Sequence, residues 1–112
     1  MFKPGDVVLA DFGMQERGCE ERGKRPAVVV SSELHNQVNR SVVVVPLTTQ
    51  TSKLHWHEHT LVTQFDGVIG VAMCEHVTEL DKSFISELVG RLQRSSLLQV
   101  FSILKNVTLA DV

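Results

Sequence analysis

Two short valine runs, Ala27-Val28-Val29-Val30 and Val42-Val43-Val44-Val45, constrain the fold of this chain more than any other feature. Each is apolar at every position and shorter than an ordinary helix. Each is built from a side chain whose branched Cβ restricts χ1 and packs well on a pleated surface. Continuous apolar runs of this length read as strands covered on both faces. The remaining composition agrees, with eighteen Val and twelve Leu against five Phe, one Trp and no Tyr. A mainly β core follows. With 43% apolar and 21% charged residues, disorder and fibrous repeats are excluded, and 112 residues suit one domain, 1–112, with little room for a second.

Gly5-Asp6 opens a further run, Val7 to Phe12, that reads as a strand after a turn. Gly13 to Lys24 reads as a charged loop and Ser31 to Arg40 as a polar connection. Pro46 has no N–H for a ladder, so the strand begun at Val42 is expected to end there. Alternation over Leu54 to Leu61 predicts a half-buried strand, Phe65-Asp66-Gly67 a turn, and Val68 to Met73 another strand. From Asp81 onward two readings stand. Phe84, Ile85, Leu88, Val89 and Leu92 have helical spacing, but Gly90 interrupts them and a strand fits as well. Ser95-Ser96 is expected to cap a helix carrying Leu97, Leu98, Phe101 and Leu104 on one face.

No apolar run approaches the roughly 20 residues of a membrane helix. The N-terminus, Met1-Phe2-Lys3-Pro4-Gly5-Asp6, lacks the apolar stretch of a signal peptide. A cytoplasmic location without membrane association is expected, with Cys19 and Cys74 as reduced thiols. The net charge of −2 argues against indiscriminate binding to a phosphate backbone. Its distribution says more. From Arg17 to Lys53, Arg17, Arg22, Lys24, Arg25, Arg40 and Lys53 oppose only Glu20, Glu21 and Glu33, whereas Glu58 to Glu87 carries six acidic residues and one basic. A small polyanion fits the first half.

Asp6, Arg25, Thr48 and the segment around Glu75 each end an apolar run, where side chains leave a sheet for a cleft. Pro26 fixes the backbone after Arg25, whose guanidinium fork matches two oxygens of a phosphate; an ion pair with Glu20 or Glu21 is the other reading. Thr48 and Thr49 offer donors to an anion, or a local hydrogen bond that ends the strand. His55, His57 and His59 alternate along one face, but neighbours at i and i+2 stand about 7 Å apart, so a solvated edge is a better reading than a metal site. Trp56 either stacks on a base or fills a core or a dimer interface. Cys74 reads as a buried structural thiol. Glu75 and His76, being adjacent, point to opposite faces of a strand and serve one site only where the chain turns.

Taken in order, Gly5-Asp6-Val7, Gly23-Lys24-Arg25-Pro26-Ala27-Val28-Val29-Val30 and Val45-Pro46-Leu47-Thr48-Thr49-Gln50 resemble the MazF/PemK (Kid-like) toxins. Glu75-His76 and Glu79-Leu80-Asp81-Lys82 stand where that family has its acidic-Gln and Thr-Ile-Asp segments, so the resemblance spans nearly the whole chain. Two stretches depart from it. Plasmid-type relatives carry Arg-Cys-Asp-Gln followed by Pro-Arg where this chain has Met73-Cys74-Glu75-His76 followed by Val77-Thr78, so two arginines are missing, and Cys19 stands where many relatives have Ser or His.

The resemblance implies an SH3-like, partly open β-barrel (MazF/PemK/CcdB-like) with short helices and a C-terminal helix, assembled as a homodimer. It implies a toxin of a type II toxin–antitoxin pair, a sequence-selective endoribonuclease that needs no metal or other cofactor. The partners implied are single-stranded RNA, a cognate antitoxin, and operator DNA only as the toxin–antitoxin complex. On this chain the implied catalytic residues are Arg25, Thr48 and Glu75, and the implied RNA-binding residues are Arg17, Arg22, Lys24, Thr49, Gln50, Trp56 and His76. A non-enzymatic toxin or regulatory binder on the same fold, such as a topoisomerase inhibitor, is the alternative.

Overall fold

In the computed structural model, which describes residues 1–13, 24–48, 60–65 and 68–108, both valine runs lie in strands. The elements in chain order are β1 (Asp6–Ala10), β2 (Arg25–Val29), α1 (Glu33–Val38), β3 (Ser41–Thr48), β4 (Thr60–Phe65) and β5 (Val68–Met73). A 3₁₀ turn (Cys74–His76), β6 (Thr78–Asp81), a second 3₁₀ turn (Lys82–Phe84), β7 (Ile85–Arg91) and α2 (Arg94–Thr108) complete them. Every pairing is antiparallel, in the order β4-β5-β3-β2-β1-β7, with β6 on the same edge of β3 as β5.

The valine runs are continuous because their sheet is buried on both faces. Val7, Val28, Val45 and Leu47 point to one side, against Val100 and Leu104 of α2. Val8, Ala27, Val29, Val42 and Val44 point to the other, where Leu80 of β6 and Ile85 of β7 close over them. Burying each of these valines contributes on the order of 1.5–3 kcal/mol of transfer free energy. β6 and β7 lie at the two ends of the path β6-β3-β2-β1-β7, yet only Lys82–Phe84 separates them in the chain. The sheet therefore curls around the second cluster. The Asp81 carboxylate steadies the corner by accepting the Ser83 N–H at 2.8 Å, and this bond holds Asp81 below the usual carboxylate range. No pairing among the described residues joins β6 to β7, so the sheet stays open. A mainly β, curled open sheet with a C-terminal helix is the expected fold class.

Some expectations need correction, and the open reading of residues 85–91 is settled. The polar connection contains α1. Ser32 Oγ caps it by accepting the His35 N–H at 3.1 Å, and Asn36, 1% exposed, donates from Nδ2 to the carbonyls of Phe2 and Ser31, each at 3.1 Å. Lys82 Nζ also donates to the Asn36 carbonyl.

Pro46 does not end β3, which runs on to Thr48. Between Leu47↔Ala72 and Val44↔Thr78, three steps along β3 match six along the opposing chain, so the Cys74–His76 turn is a three-residue bulge. It faces Val45 and Pro46, and a proline costs nothing where no ladder awaits its N–H.

Residues 85–91 form a strand rather than a helix, because β1 pairs with them through two register shifts. α2 starts at Arg94, with Ser95 and Ser96 inside its first turn, and Leu98 is 54% exposed. The buried stripe is Leu97, Val100, Phe101 and Leu104, whose i, i+3, i+4, i+7 spacing leaves Leu98 outside it.

The N-terminus is tied to β7 and α2. Asp6 is 4% exposed and accepts from Arg91 Nη1 at 2.5 Å and from the Lys3 N–H at 2.9 Å, while Leu92 N–H donates to the Gly5 carbonyl at 2.8 Å. Gly5 sits at φ +96°, and a Cβ there would stand 3.2 Å from the Leu97 side chain. Both facts require glycine.

Candidate active site

Arg25 opens β2 and Thr48 closes β3. The ladder Ala27↔Pro46, Val28↔Val45, Val29↔Val44 stops two residues short of both, so Arg25 and Thr48 lie at the same end of the β2–β3 pair. Side chains alternate along a strand, so Arg25 shares the face of Ala27 and Val29, and Thr48 that of Val44. That face lines the inside of the curl. The two residues thus lie at its mouth, at the same end of adjacent strands. Both are half-buried. On its other side Arg25 pairs with Ala10, whose small side chain leaves room for the guanidinium, and Thr48 pairs with Val71 of β5.

The segment after β5 turns where a strand would have sent Glu75 and His76 to opposite faces. In the Cys74–His76 turn, His76 Nε2 lies 3.9 Å from Glu75 Oε2. The two differ sharply in access. The Glu75 side chain is 18% exposed and both its carboxylate oxygens are closed to solvent, whereas the His76 side chain is 58% exposed. The turn packs against β3, β4 and α2, and begins three residues beyond Val71, the partner of Thr48.

Cys74 faces the α2 side of the sheet and is fully buried. Burial, and then the neighbouring Glu75 carboxylate, push its thiol from 9.0 up to about 11. At neutral pH it is a protonated core side chain rather than a nucleophile. A folded value above the unfolded one contributes stability in full below about pH 9, and this is lost as pH rises through about 11. In a Cys19→Ser variant, which isolates Cys74, an aromatic disulfide reagent at pH 8 should label the thiol at the rate of unfolding. Immediate labelling of native protein would show an accessible thiol.

Of the other candidates, Lys24 is exposed immediately before Arg25. Arg17, Arg22, Thr49, Gln50 and Trp56 lie outside the described residues, as do Cys19, His55, His57 and His59. Among the described residues no three His, Cys, Asp or Glu side chains form a metal-binding group. Asp6 also ends an apolar run, but β1 is antiparallel to β2 and pairs Ala10 with Arg25, so Asp6 sits at the far end of the strand. There it holds Arg91, which the sequence did not single out because 85 positions separate the pair. A guanidinium fork beside a hydroxyl, flanked by a lysine, can hold two oxygens of a phosphodiester and favour added negative charge on phosphorus.

Relatives of known sequence and structure bear on this arrangement. Endoribonuclease MazF from Staphylococcus epidermidis is 27% identical over 103 residues, covering 89% of this chain and 85% of its own length. The crystal structure of MazF from Deinococcus radiodurans aligns with a TM-score of 0.77 at 25% identity, over 95% of this chain and 94% of that one. An endoribonuclease from a mycobacterial species, solved in complex with its cognate antitoxin, aligns with a TM-score of 0.80 at 18% identity over 100% of this chain and 99% of that one, which shows the shared fold. The family model for PemK-like, MazF-like toxins of type II toxin–antitoxin systems matches residues 3–108, and the chain belongs to that family.

Proposed function

We propose that this chain is the toxin of a type II pair and a metal-independent, sequence-selective endoribonuclease acting on single-stranded RNA, with Arg25 and Thr48 at the reacting phosphate. The placement of Arg25 and Thr48 at the same end of the paired strands β2 and β3, at the mouth of the curl, supports this reading. The nucleophile is the 2′-hydroxyl of the RNA itself, so no metal-bound hydroxide is needed. It attacks the adjacent phosphorus, and the products are a 2′,3′-cyclic phosphate and a 5′-hydroxyl. The phosphorane gathers negative charge that Arg25 stabilises, while the Thr48 hydroxyl donates to a nonbridging oxygen and fixes alignment.

Lys24, Arg17 and Arg22 extend the positive field on the loop before β2. Thr49, Gln50 and Trp56 follow β3 in the chain and contact RNA. The cognate antitoxin competes for the same cationic face, and operator DNA is bound by the toxin–antitoxin complex. The apolar side chains left exposed, among them Phe84, Leu88 and Leu98, suit a homodimer. The site of action is the cytoplasm.

Purified protein incubated with one long single-stranded RNA in EDTA should cut it at a few short sequences, with cyclic phosphate at the 3′ ends, and leave DNA of the same sequence whole. Growth arrest by the expressed chain with cellular RNA intact, and no cutting in vitro, would instead establish a non-enzymatic binder.

A further inference from the structure

We propose that Phe12 is an RNA-binding residue of this site, an aromatic platform on which one base of the substrate stacks, an inference that rests on the nuclease reading above. Ala10 pairs with Arg25 on one side and with Ile85 on the other, and residues paired across antiparallel strands present their side chains to one face. That face is the inside of the curl, where Ala10 and Ile85 pack with Val8, Ala27 and Val29. Phe12 follows Ala10 by two residues, beyond the last pair of the ladder, and its side chain packs against the same cluster. It therefore shares with Arg25 both a face and an end of the sheet, and Lys24, exposed, immediately precedes Arg25.

The surroundings of this ring suit a platform better than core filling. Val8, Ala10, Ala27 and Val29 are 0% exposed, whereas Phe12 is half-buried, so it covers the cluster and still meets solvent. The backbone is fixed on both sides of it. The Asp11 N–H donates to the Phe84 carbonyl at 2.9 Å, and the Asp11 carboxylate accepts the Gly13 N–H at 2.8 Å. Gly13 takes φ +71°, which turns the chain out of the strand, and a Cβ there would meet nothing among the described residues within 4 Å. Phe2, the other phenylalanine packed on this cluster, precedes β1 and belongs to the opposite end of the sheet, where the Gly5 N–H donates to the Val29 carbonyl.

A single strand is held by cations that take its phosphates and by aromatic faces that take its unstacked bases. Arg25 and Lys24 supply the first and Phe12 the second, on one end of one sheet. Phenylalanine has no polar atom, so the contact accepts any base and adds grip rather than sequence choice. A stacked base also restrains the ribose between it and the phosphate at Arg25, which helps to align the 2′-hydroxyl for attack.

The test measures binding of the full chain and of Phe12→Leu, Phe12→Met and Phe12→Tyr to one RNA oligonucleotide. The oligonucleotide spans a site that the unchanged chain cuts and is made uncleavable by a 2′-deoxy nucleotide at that site. Phe12→Leu and Phe12→Met keep an apolar side chain on the cluster and should bind about tenfold more weakly, whereas Phe12→Tyr should bind as the unchanged chain does. Melting curves identify which variants are folded at the assay temperature. Abasic nucleotides placed one at a time should reveal one position that costs the unchanged chain about tenfold and costs Phe12→Leu nothing further, a coupling that a packing role would not produce. If the unchanged chain cuts RNA and the folded Leu and Met variants bind within about twofold of it, or if every abasic position weakens all the proteins alike, the platform is overturned and the nuclease reading survives. Absence of cutting by the unchanged chain overturns both.

Discussion

Arg25→Ala should slow cleavage of a single-stranded RNA by about a thousandfold, the scale on which removing one preorganised charge stabiliser acts. Arg25 is half-buried at the start of β2, beside Ala10, so truncating it opens no core cavity. The variant should therefore melt within a few degrees of the unchanged chain. Arg25→Lys should recover only a small part of the rate, because an ammonium supplies a point charge without the fork that meets two phosphate oxygens. Rates within threefold of normal for Arg25→Ala would remove Arg25 from the mechanism, whatever the remaining residues do.

Arg91→Met should cost about 2–3 kcal/mol of stability and lower the melting temperature by roughly 10 °C. The Asp6 side chain is 5% exposed and loses its charged partner in this variant, keeping the Lys3 N–H as the remaining donor shown here. The upper end of the range for a broken buried pair does not apply. Arg91 is itself 54% exposed, so water entering beside the guanidinium screens part of the interaction. Combining Asp6→Asn with Arg91→Met should restore a good part of the loss, since no charge is then left buried alone. The measurement is denaturant unfolding of the four proteins at constant m-value. A loss below about 0.5 kcal/mol for Arg91→Met would show the Asp6 carboxylate to be solvated.

The elements legible in advance are those whose signal is local. Ala27–Val30 and Val42–Val45 had to be strands because nothing else buries an all-valine run on both faces, and Val28 and Val29 do enter different clusters. The stripe of α2 was legible in its spacing, apart from Leu98. α1 was not. Six polar-flanked residues cannot hold a helix alone, and this one rests on Asn36 reaching the carbonyl of Phe2, 34 positions away. β7 was ambiguous for the same reason: its pattern suited either state until β1 supplied a ladder partner.

At the site, Arg25 and Thr48 could each be picked out as the end of an apolar run, with Pro26 and Pro46 as local markers. That they lie at one end of the paired strands is a matter of register, which follows from pairing valine with valine across β2 and β3. The turn that brings His76 beside Glu75 had no sequence signal at all. It arises because β5 and β6 share one edge of β3 out of step by three residues.

The valine runs with which the chain announces itself thus determined, unaided, that a sheet covered on both faces would form and where its strands would lie, because burial of branched side chains is a local property of the run. Only the tertiary structure decided which strand ends adjoin, that Asp6 holds Arg91 and that His76 turns toward Glu75. Those depend on contacts between residues far apart in the chain or on a bulge in a ladder, and such contacts acquire a geometry only once the sheet has closed its register.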